Sequence, residues 1–118
     1  MILVDTSVWI HHFSIGSERL RSLLAEEQVF CHPFISGELA CGTLRNRHEI
    51  LGLLSALPQA RVLEDEEVLH FLEARRLHGR GLGWIDVHLL ASALLTGCSV
   101  WTLDGSLLKA AATLNIWT

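Results

Sequence analysis

The chain begins with a short apolar run that ends at an acid. Ile2, Leu3 and Val4 are consecutive rather than alternating with polar residues, which is typical of a strand in a parallel sheet covered on both faces. Asp5 follows directly, and a carboxylate at the end of a buried strand is unfavourable unless something pairs with it. The pattern therefore predicts a buried first strand with Asp5 at its carboxyl end.

Further along the chain, the hydrophobic pattern alternates between helical and extended segments. Ser17 is placed to cap a helix that carries Leu20, Leu23 and Leu24 on one face. Further helices are predicted over residues 35–45, 46–57, 65–79, 85–96 and 107–114. Strands are predicted over residues 29–32, 61–63 and 99–102, with an edge strand at 116–117. Strands that alternate with helices predict an α/β fold with a central parallel sheet.

The composition limits the class of protein. A chain of 118 residues is predicted to form a single domain, residues 1–118. Half of the residues are hydrophobic and the mean hydropathy is +0.37, which favours a partner that covers apolar surface. No segment approaches the ~20 apolar residues of a membrane span and the N-terminus lacks signal-peptide features, so a cytoplasmic location is expected. Cys31, Cys41 and Cys98 show no paired spacing and are expected to be small buried hydrophobes.

The net charge of −4 argues against a protein that coats nucleic acid with a basic surface. The argument against nucleic acid does not hold if several acids share one site, because cations bound by those acids reverse the local charge. The placement of the acids therefore decides whether nucleic acid is a candidate substrate.

Four acids are predicted to lie at one end of the sheet. Asp5 and Asp104 each follow a strand, and ligands bind outside the carboxyl ends of the strands in an open α/β sheet. Asp86 lies in the first turn of a helix on its core-facing side, and Glu38 is expected to begin a helix. Each acid alone has a simpler explanation as a helix-dipole partner, a turn residue or a hydrogen-bond acceptor. Together they indicate a site for a hard divalent cation such as Mg²⁺ or Mn²⁺.

The motifs around these acids resemble those of the PIN-domain family, and more narrowly those of VapC toxins from type II toxin–antitoxin systems. The matching segments are V-D-T-S-V-W-I around Asp5, G-E-L-A around Glu38, W-I-D-V-H-L-L-A-S-A around Asp86 and W-T-L-D around Asp104. The resemblance covers essentially the whole chain. It implies a three-layer α/β/α fold and a Mg²⁺- or Mn²⁺-dependent endoribonuclease that cleaves RNA phosphodiester bonds with activated water. The implied partners are a VapB-like antitoxin, an RNA substrate with tRNA as the favoured class, and a second copy of the chain in a homodimer.

The resemblance also implies roles for individual acids. The expected catalytic residues are Asp5, Glu38, Asp86 and Asp104. Asp5 and Asp86 are the expected direct metal ligands, and Asp104 is a further candidate ligand. Glu38 is expected to act through a metal-bound water that it orients or deprotonates. Whether one or two ions bind stays open.

Hydroxyl side chains flank two of the acids. Thr102 stands two residues before Asp104, at a hydroxyl position that the family resemblance also implies. Thr6 and Ser7 directly follow Asp5, and one of them is expected to hydrogen-bond that carboxylate and hold it in place.

A basic cluster is a candidate RNA contact. Arg75, Arg76 and Arg80 lie close together just before Trp84, where guanidinium groups suit phosphate binding. The alternative is a solvated helix end, where cations favour the dipole. Trp9 and Trp84 lie near acids in the sequence and are either base-stacking platforms or, by preference, core residues.

The histidines do not predict a zinc site. His11 and His12 are neighbours, as are Cys31 and His32, and neither pair has the spacing of zinc ligands. They are interpreted as ordinary surface or interface residues. His88 is two positions after Asp86, about 200° around the helix, and is expected to face away from its carboxylate.

Three other classes of protein fit part of the pattern. A haloacid-dehalogenase-type phosphatase also begins with a strand and an Asp, but it requires a second Asp where this chain has Ser7. A receiver-like signalling domain requires paired acids after the first strand and a Lys after the last, whereas the single Lys109 falls within the final predicted helix. A non-catalytic RNA- or protein-binding module on a PIN scaffold is disfavoured because all four acids are intact.

Overall fold

The apolar run at the start of the chain forms the middle strand of a parallel sheet. The computed structural model describes residues 1–118. Its strands are β1 (Ile2–Val4), β2 (Val29–Phe30) and β3 (Ser99–Trp101). The order is β2-β1-β3, with both outer strands parallel to β1. Leu3 and Val4 are fully buried, so the predicted central parallel sheet is confirmed.

Seven helices pack around this sheet in the expected three-layer α/β/α arrangement. They are α1 (Thr6–Ile15), α2 (Glu18–Ala25), α3 (Pro33–Cys41), α4 (Arg47–Ala56), α5 (Asp65–Ala74), α6 (Trp84–Thr96) and α7 (Gly105–Thr113). The predicted cap of α2 is present, because the Ser17 hydroxyl accepts the Leu20 N–H at 3.2 Å. Gly97 ends α6 in the left-handed conformation, with φ of 79°. None of the seven helices is long and apolar enough to cross a bilayer.

The strand predicted over residues 61–63 is wrong. The chain pairs with Cys31 earlier, through a single parallel bridge at Gln59 in which the Cys31 N–H donates to the Pro58 carbonyl and the Ala60 N–H donates to the Cys31 carbonyl, both at 2.8 Å. In this register residues 61–63 would lie opposite residues 33–35, which begin α3, so no extended backbone is available to pair with them. At the other edge, Trp117 bridges Val100, so the predicted edge strand is reduced to one pair.

Several helix boundaries differ from the prediction, most clearly those of α3 and α5. Helix α3 starts at Pro33, whose fixed φ suits the first helical position, and the ring of His32 caps it by accepting the Phe34 N–H at 3.0 Å. Helix α5 ends at Ala74 rather than near Gly79, because Arg76 adopts φ of 52°. A positive φ is incompatible with a right-handed α-helix, so the helix ends before Arg76.

Helix α6 passes through the centre of the core. Every residue from Val87 to Ala93 is buried, so this helix is enclosed on all sides rather than along one stripe. Its first turn begins at the end of the sheet where β1 and β3 terminate. This buried helix carries Asp86 close enough to Asp5 and Asp104 for their charges to act on it.

Candidate active site

Asp5 is the most buried of the four acids, with 7% of its surface exposed. Its Oδ2 accepts hydrogen bonds from the Ser7 hydroxyl at 2.7 Å and from the Thr102 hydroxyl at 2.8 Å. The Ser7 N–H approaches the same oxygen at 3.4 Å, which makes Asp5 the cap of α1. These hydrogen bonds offset the free-energy cost of burying the carboxylate, so they explain how an acid can stand at the end of a buried strand.

The same two hydroxyls hold the loop that follows β3. The Leu103 N–H donates to the Ser7 hydroxyl oxygen and the Asp104 N–H donates to the Thr102 hydroxyl oxygen, both at 3.0 Å. Each hydroxyl therefore accepts from the loop and donates to Asp5. The Ser7 and Thr102 hydroxyls therefore link the backbone N–H groups of Leu103 and Asp104 to the Asp5 carboxylate.

Asp86 and Asp104 lie at the first turns of α6 and α7. The Asp86 Oδ2 accepts the Gly83 N–H at 2.9 Å, and the Asp104 Oδ2 accepts the Leu107 N–H at 2.9 Å. Partial burial raises the pKa of Asp86, and the negative charges of Asp5 and Asp104 raise it further, against the opposing effect of the Gly83 hydrogen bond. This mutual influence places the three aspartates within one electrostatic site.

Glu38 reaches the site from α3. It lies in the second half of that helix and not at its start, so this part of the prediction is wrong. Its side chain is exposed, and its Oε1 accepts the Thr6 hydroxyl hydrogen at 2.8 Å. Since Thr6 directly follows Asp5, this bond connects the fourth acid to the other three.

Thr6 and Ser7 thus form hydrogen bonds with different acids. Ser7 is the residue that binds Asp5, whereas Thr6 binds Glu38. The sequence left this choice open, because which of the two hydroxyls turns toward Asp5 depends on how the chain enters α1. No pattern in the sequence indicated Gly83, whose backbone N–H donates to the Asp86 carboxylate.

The four carboxylates share one property that suits a cation. In each of them the protein holds one oxygen, and the other oxygen accepts no hydrogen bond from the chain. No three of the acidic, His or Cys side chains lie close enough together to enclose an ion. This arrangement fits Mg²⁺, which is usually bound by one or two carboxylates with water and phosphate oxygens completing its octahedron.

The predicted RNA-contact residues are on the surface. Arg75 and Arg76 end α5, Arg80 lies in the loop that leads to α6, and all three side chains are exposed. Trp84 is 39% exposed, with its ring edge-on to His88 at 4.8 Å between centroids. Trp9 is buried in the core with 4% of its surface exposed, which excludes it as a base-stacking platform.

His32 and His88 are buried. The sequence predicted that His32 lies at the surface or in an interface, so the prediction is wrong for this residue. The His32 Nε2 lies 3.1 Å from the Ser92 hydroxyl, and its ring packs on Phe34. Burial, with a smaller contribution from the charge of nearby His88, lowers the pKa of His32 to about 4. His88 bonds the Asp65 carboxylate at 3.0 Å and lies outside the acidic site, as predicted.

The cysteines are free thiols in two environments. Cys31 and Cys98 are buried, as predicted, and burial raises the pKa of both thiols. Cys41 is exposed at the end of α3, so the prediction is wrong at this position. The last turn of a surface helix leaves its side chain outside the core.

The fold belongs to a known class. The family described as PIN domain matches residues 2–113, and the chain is a member of that family. Its relatives include two proteins named ribonuclease VapC32, from Mycobacterium tuberculosis strains CDC 1551 / Oshkosh and ATCC 25618 / H37Rv. Each is 47% identical over 113 residues, which cover 95% of this chain and 91% of the relative. The resemblance drawn from the motifs is confirmed.

Proposed function

We propose that the protein is the toxin of a type II toxin–antitoxin system and a metal-dependent endoribonuclease of the cytoplasm, with residues 1–118 acting as one PIN domain. The observation that carries this proposal is the set of carboxylates that each keep one oxygen without a protein partner. The similarity to two proteins named ribonuclease VapC32 supports the same activity.

In this proposal Asp5 and Asp86 are the direct ligands of Mg²⁺ or Mn²⁺, and Asp104 adds its negative charge to the same site. A bound divalent ion would supply charge neutralisation for the phosphodiester and for the oxygen that leaves. The hydroxyls of Ser7 and Thr102 fix the Asp5 carboxylate so that its second oxygen points away from its protein donors. Such orientation of a ligand by neighbouring donors raises metal affinity.

In this proposal Glu38 accepts a proton during the reaction. Its Oε1 is held by Thr6, which leaves Oε2 to orient the attacking water and accept its proton. The water oxygen forms a bond to phosphorus while the bond from phosphorus to the leaving oxygen breaks. Because water is the nucleophile, the chain needs no covalent intermediate.

A cleavage assay tests the activity. Purified protein should cut single-stranded or looped RNA in Mg²⁺ or Mn²⁺ and stop when EDTA is added. Asp5→Asn should remove the activity, whereas the exposed Glu73→Gln, which removes a charge away from the site, should keep it. Equal cleavage by Asp5→Asn and the unaltered protein would contradict the proposal, and RNA binding without cleavage would favour a non-catalytic module.

A VapB-like antitoxin is the proposed protein partner. A groove of about 410 Å³ lies between α1, α2 and α4, and its walls include Trp9, Phe13, Leu24, Leu53 and Leu57. Leu53 is 59% exposed there and Phe13 is 37% exposed. An open apolar groove of this kind suits the apolar face of an amphipathic segment.

A homodimer and a tRNA substrate complete the proposal. Large apolar side chains are exposed away from the groove, among them Leu69 at 52% and Leu95 at 47%, and a second copy of the chain would cover such surface. The choice of tRNA follows the family resemblance. Light scattering at micromolar concentration tests the dimer, and a uniform monomer would contradict it.

A further inference from the structure

A cleft beside α7 brings together two cations that are distant in sequence. It has a volume of about 520 Å³, and its lining includes Arg80, Ser106, Lys109 and Thr113. The last three are spaced three and four residues apart and so share one face of α7. Arg80 comes from the loop before α6. Lys109 is the only lysine of the chain.

The backbone at Gly81 explains why Arg80 reaches this cleft. Gly81 adopts φ of +76°, and a Cβ at this position would lie 3.0 Å from the Ser106 hydroxyl oxygen. The absence of a side chain therefore lets the loop pack closely on α7 in a conformation that favours glycine.

Both cations are available to bind an anion. The ion pairs of the protein join Arg21 to Glu18 and His88 to Asp65, and they involve neither Arg80 nor Lys109. The Ser106 hydroxyl makes no hydrogen bond, whereas the Thr113 hydroxyl donates to the Lys109 carbonyl at 3.0 Å. The cleft thus offers two free cations and one free hydroxyl donor.

The residues that supply the two cations lie close along the chain to two of the acids. Asp104 caps the helix that carries Lys109. Arg80 is three residues before Gly83, whose N–H holds Asp86, and three residues of extended chain span at most about 11 Å. A polyanion that crosses four carboxylates is repelled there, so its affinity must come from cations next to the site.

We propose that Arg80, Lys109 and Ser106 form a phosphate subsite that holds the RNA backbone next to the scissile bond. This inference rests on the proposed ribonuclease function and adds Lys109 and Ser106 to the substrate contacts. It gives Arg80 a different role from Arg75 and Arg76, which do not line the cleft.

Binding of a fluorescent single-stranded RNA tests the subsite without depending on cleavage. In the full chain carrying Asp5→Asn, which keeps the RNA intact, Lys109→Ala and Arg80→Ala should each raise Kd about fivefold to tenfold. Each should also flatten the slope of log Kd against log salt by about 0.7, the value for one lost contact to a single-stranded phosphate. Lys109→Arg should restore most of the affinity.

Arg61→Ala is the matched control, because it removes one exposed cation near Thr96, at the opposite end of α6 from Asp86. An unchanged Kd and slope in either cleft variant, or changes no larger than those of Arg61→Ala, would overturn the subsite. Melting curves confirm that each variant is folded. Failure of the ribonuclease proposal is separate, since it appears as absent cleavage in protein that retains Asp5.

Discussion

Thr102 donates its hydroxyl hydrogen to Asp5 at 2.8 Å, although the two residues are 97 positions apart. The same hydroxyl oxygen accepts the Asp104 N–H at 3.0 Å. One side chain thus determines where two of the acids lie relative to each other. A substitution that removes the Thr102 hydroxyl but keeps the shape of the side chain tests this positioning role by itself.

Thr102→Val should weaken Mn²⁺ binding by about tenfold to 100-fold, because a ligand that loses its orienting donor binds metal less well. The Asp104 N–H also loses its acceptor, so the free energy of unfolding should fall by about 1–3 kcal/mol. Calorimetric titration with Mn²⁺ and urea unfolding measure the two effects. Thr43→Val, at an exposed position, is the control, and equal Mn²⁺ affinity in both variants would show that Thr102 does not orient Asp5.

Asp86→Asn should abolish cleavage yet stabilise the metal-free protein. Two carboxylates ~6 Å apart repel by about 2–3 kcal/mol at an effective dielectric near 20. Removing one charge should return ~1 kcal/mol, or roughly 4 °C in melting temperature. Burial raises the pKa of Asp86, and the same repulsion from Asp5 and Asp104 raises it further. Saturating Mg²⁺ should erase or reverse the gain, because only the unaltered protein keeps the full ligand set.

The Asn variant is a clean test because its amide oxygen still accepts the Gly83 N–H that the Asp86 carboxylate holds at 2.9 Å. Asp86→Ala, by contrast, removes both the charge and the cap and should gain less or lose stability. Melting curves in EDTA and in excess Mg²⁺ distinguish these cases. An Asn variant that melts lower in both conditions would mean that Asp86 is structural and binds no cation.

His32 should make the protein less stable in acid. Its pKa is lowered to about 4 in the folded state, whereas an unfolded histidine titrates near 6.5. The unfolded chain therefore binds more protons below pH ~6.5, and stability present above that value is lost as the pH falls toward 4. At pH ~4.5 the loss from this one residue is on the order of 2–3 kcal/mol.

Urea unfolding between pH 4.5 and 7 measures this loss. His32→Asn keeps an acceptor for the Phe34 N–H that His32 caps at 3.0 Å, and it should flatten the pH dependence. The exposed His48→Asn should leave it unchanged. Parallel pH curves for all three proteins would refute a neutral, buried His32.

Leu53→Asp should disrupt binding of a VapB-like antitoxin while cleavage persists. The side chain is 59% exposed in the apolar groove, and a charge there would have to be desolvated against the partner's apolar face. Affinity should fall by about 100-fold or more, as for a residue near the centre of an interface. Val62→Asp, at a 51% exposed position away from the groove, is the control. Equal antitoxin affinity in the two variants would exclude the groove as the docking surface.

The sequence located the acids well because their placement follows from local rules. Asp5 comes directly after an unbroken apolar strand, and Asp104 follows β3, which pairs with that strand in parallel. Asp86 lies in the first turn of a largely apolar helix. Parallel strands end at a common edge, so local patterns were sufficient to bring these three residues together.

What the sequence missed depends on contacts between distant segments. The pairing of Gln59 with Cys31 is a single bridge because the chain enters α3 directly afterwards, which no pattern around Gln59 records. The burial of His32 depends on Ser92 and His88, two residues of a helix far along the chain. Glu38 occupies the second half of α3 because the helix begins at Pro33, two residues earlier than its apolar pattern predicts.

The order of the strands also governs when the protein becomes active during its synthesis. The middle strand β1 leaves the ribosome first, and its partner β3 begins only at Ser99. Until that point a nascent chain holds Asp5 without Thr102 to orient it and without Asp104 beside it. Pairing between such distant segments also forms slowly. A site assembled in this way cannot form until β3, Thr102 and Asp104 have left the ribosome.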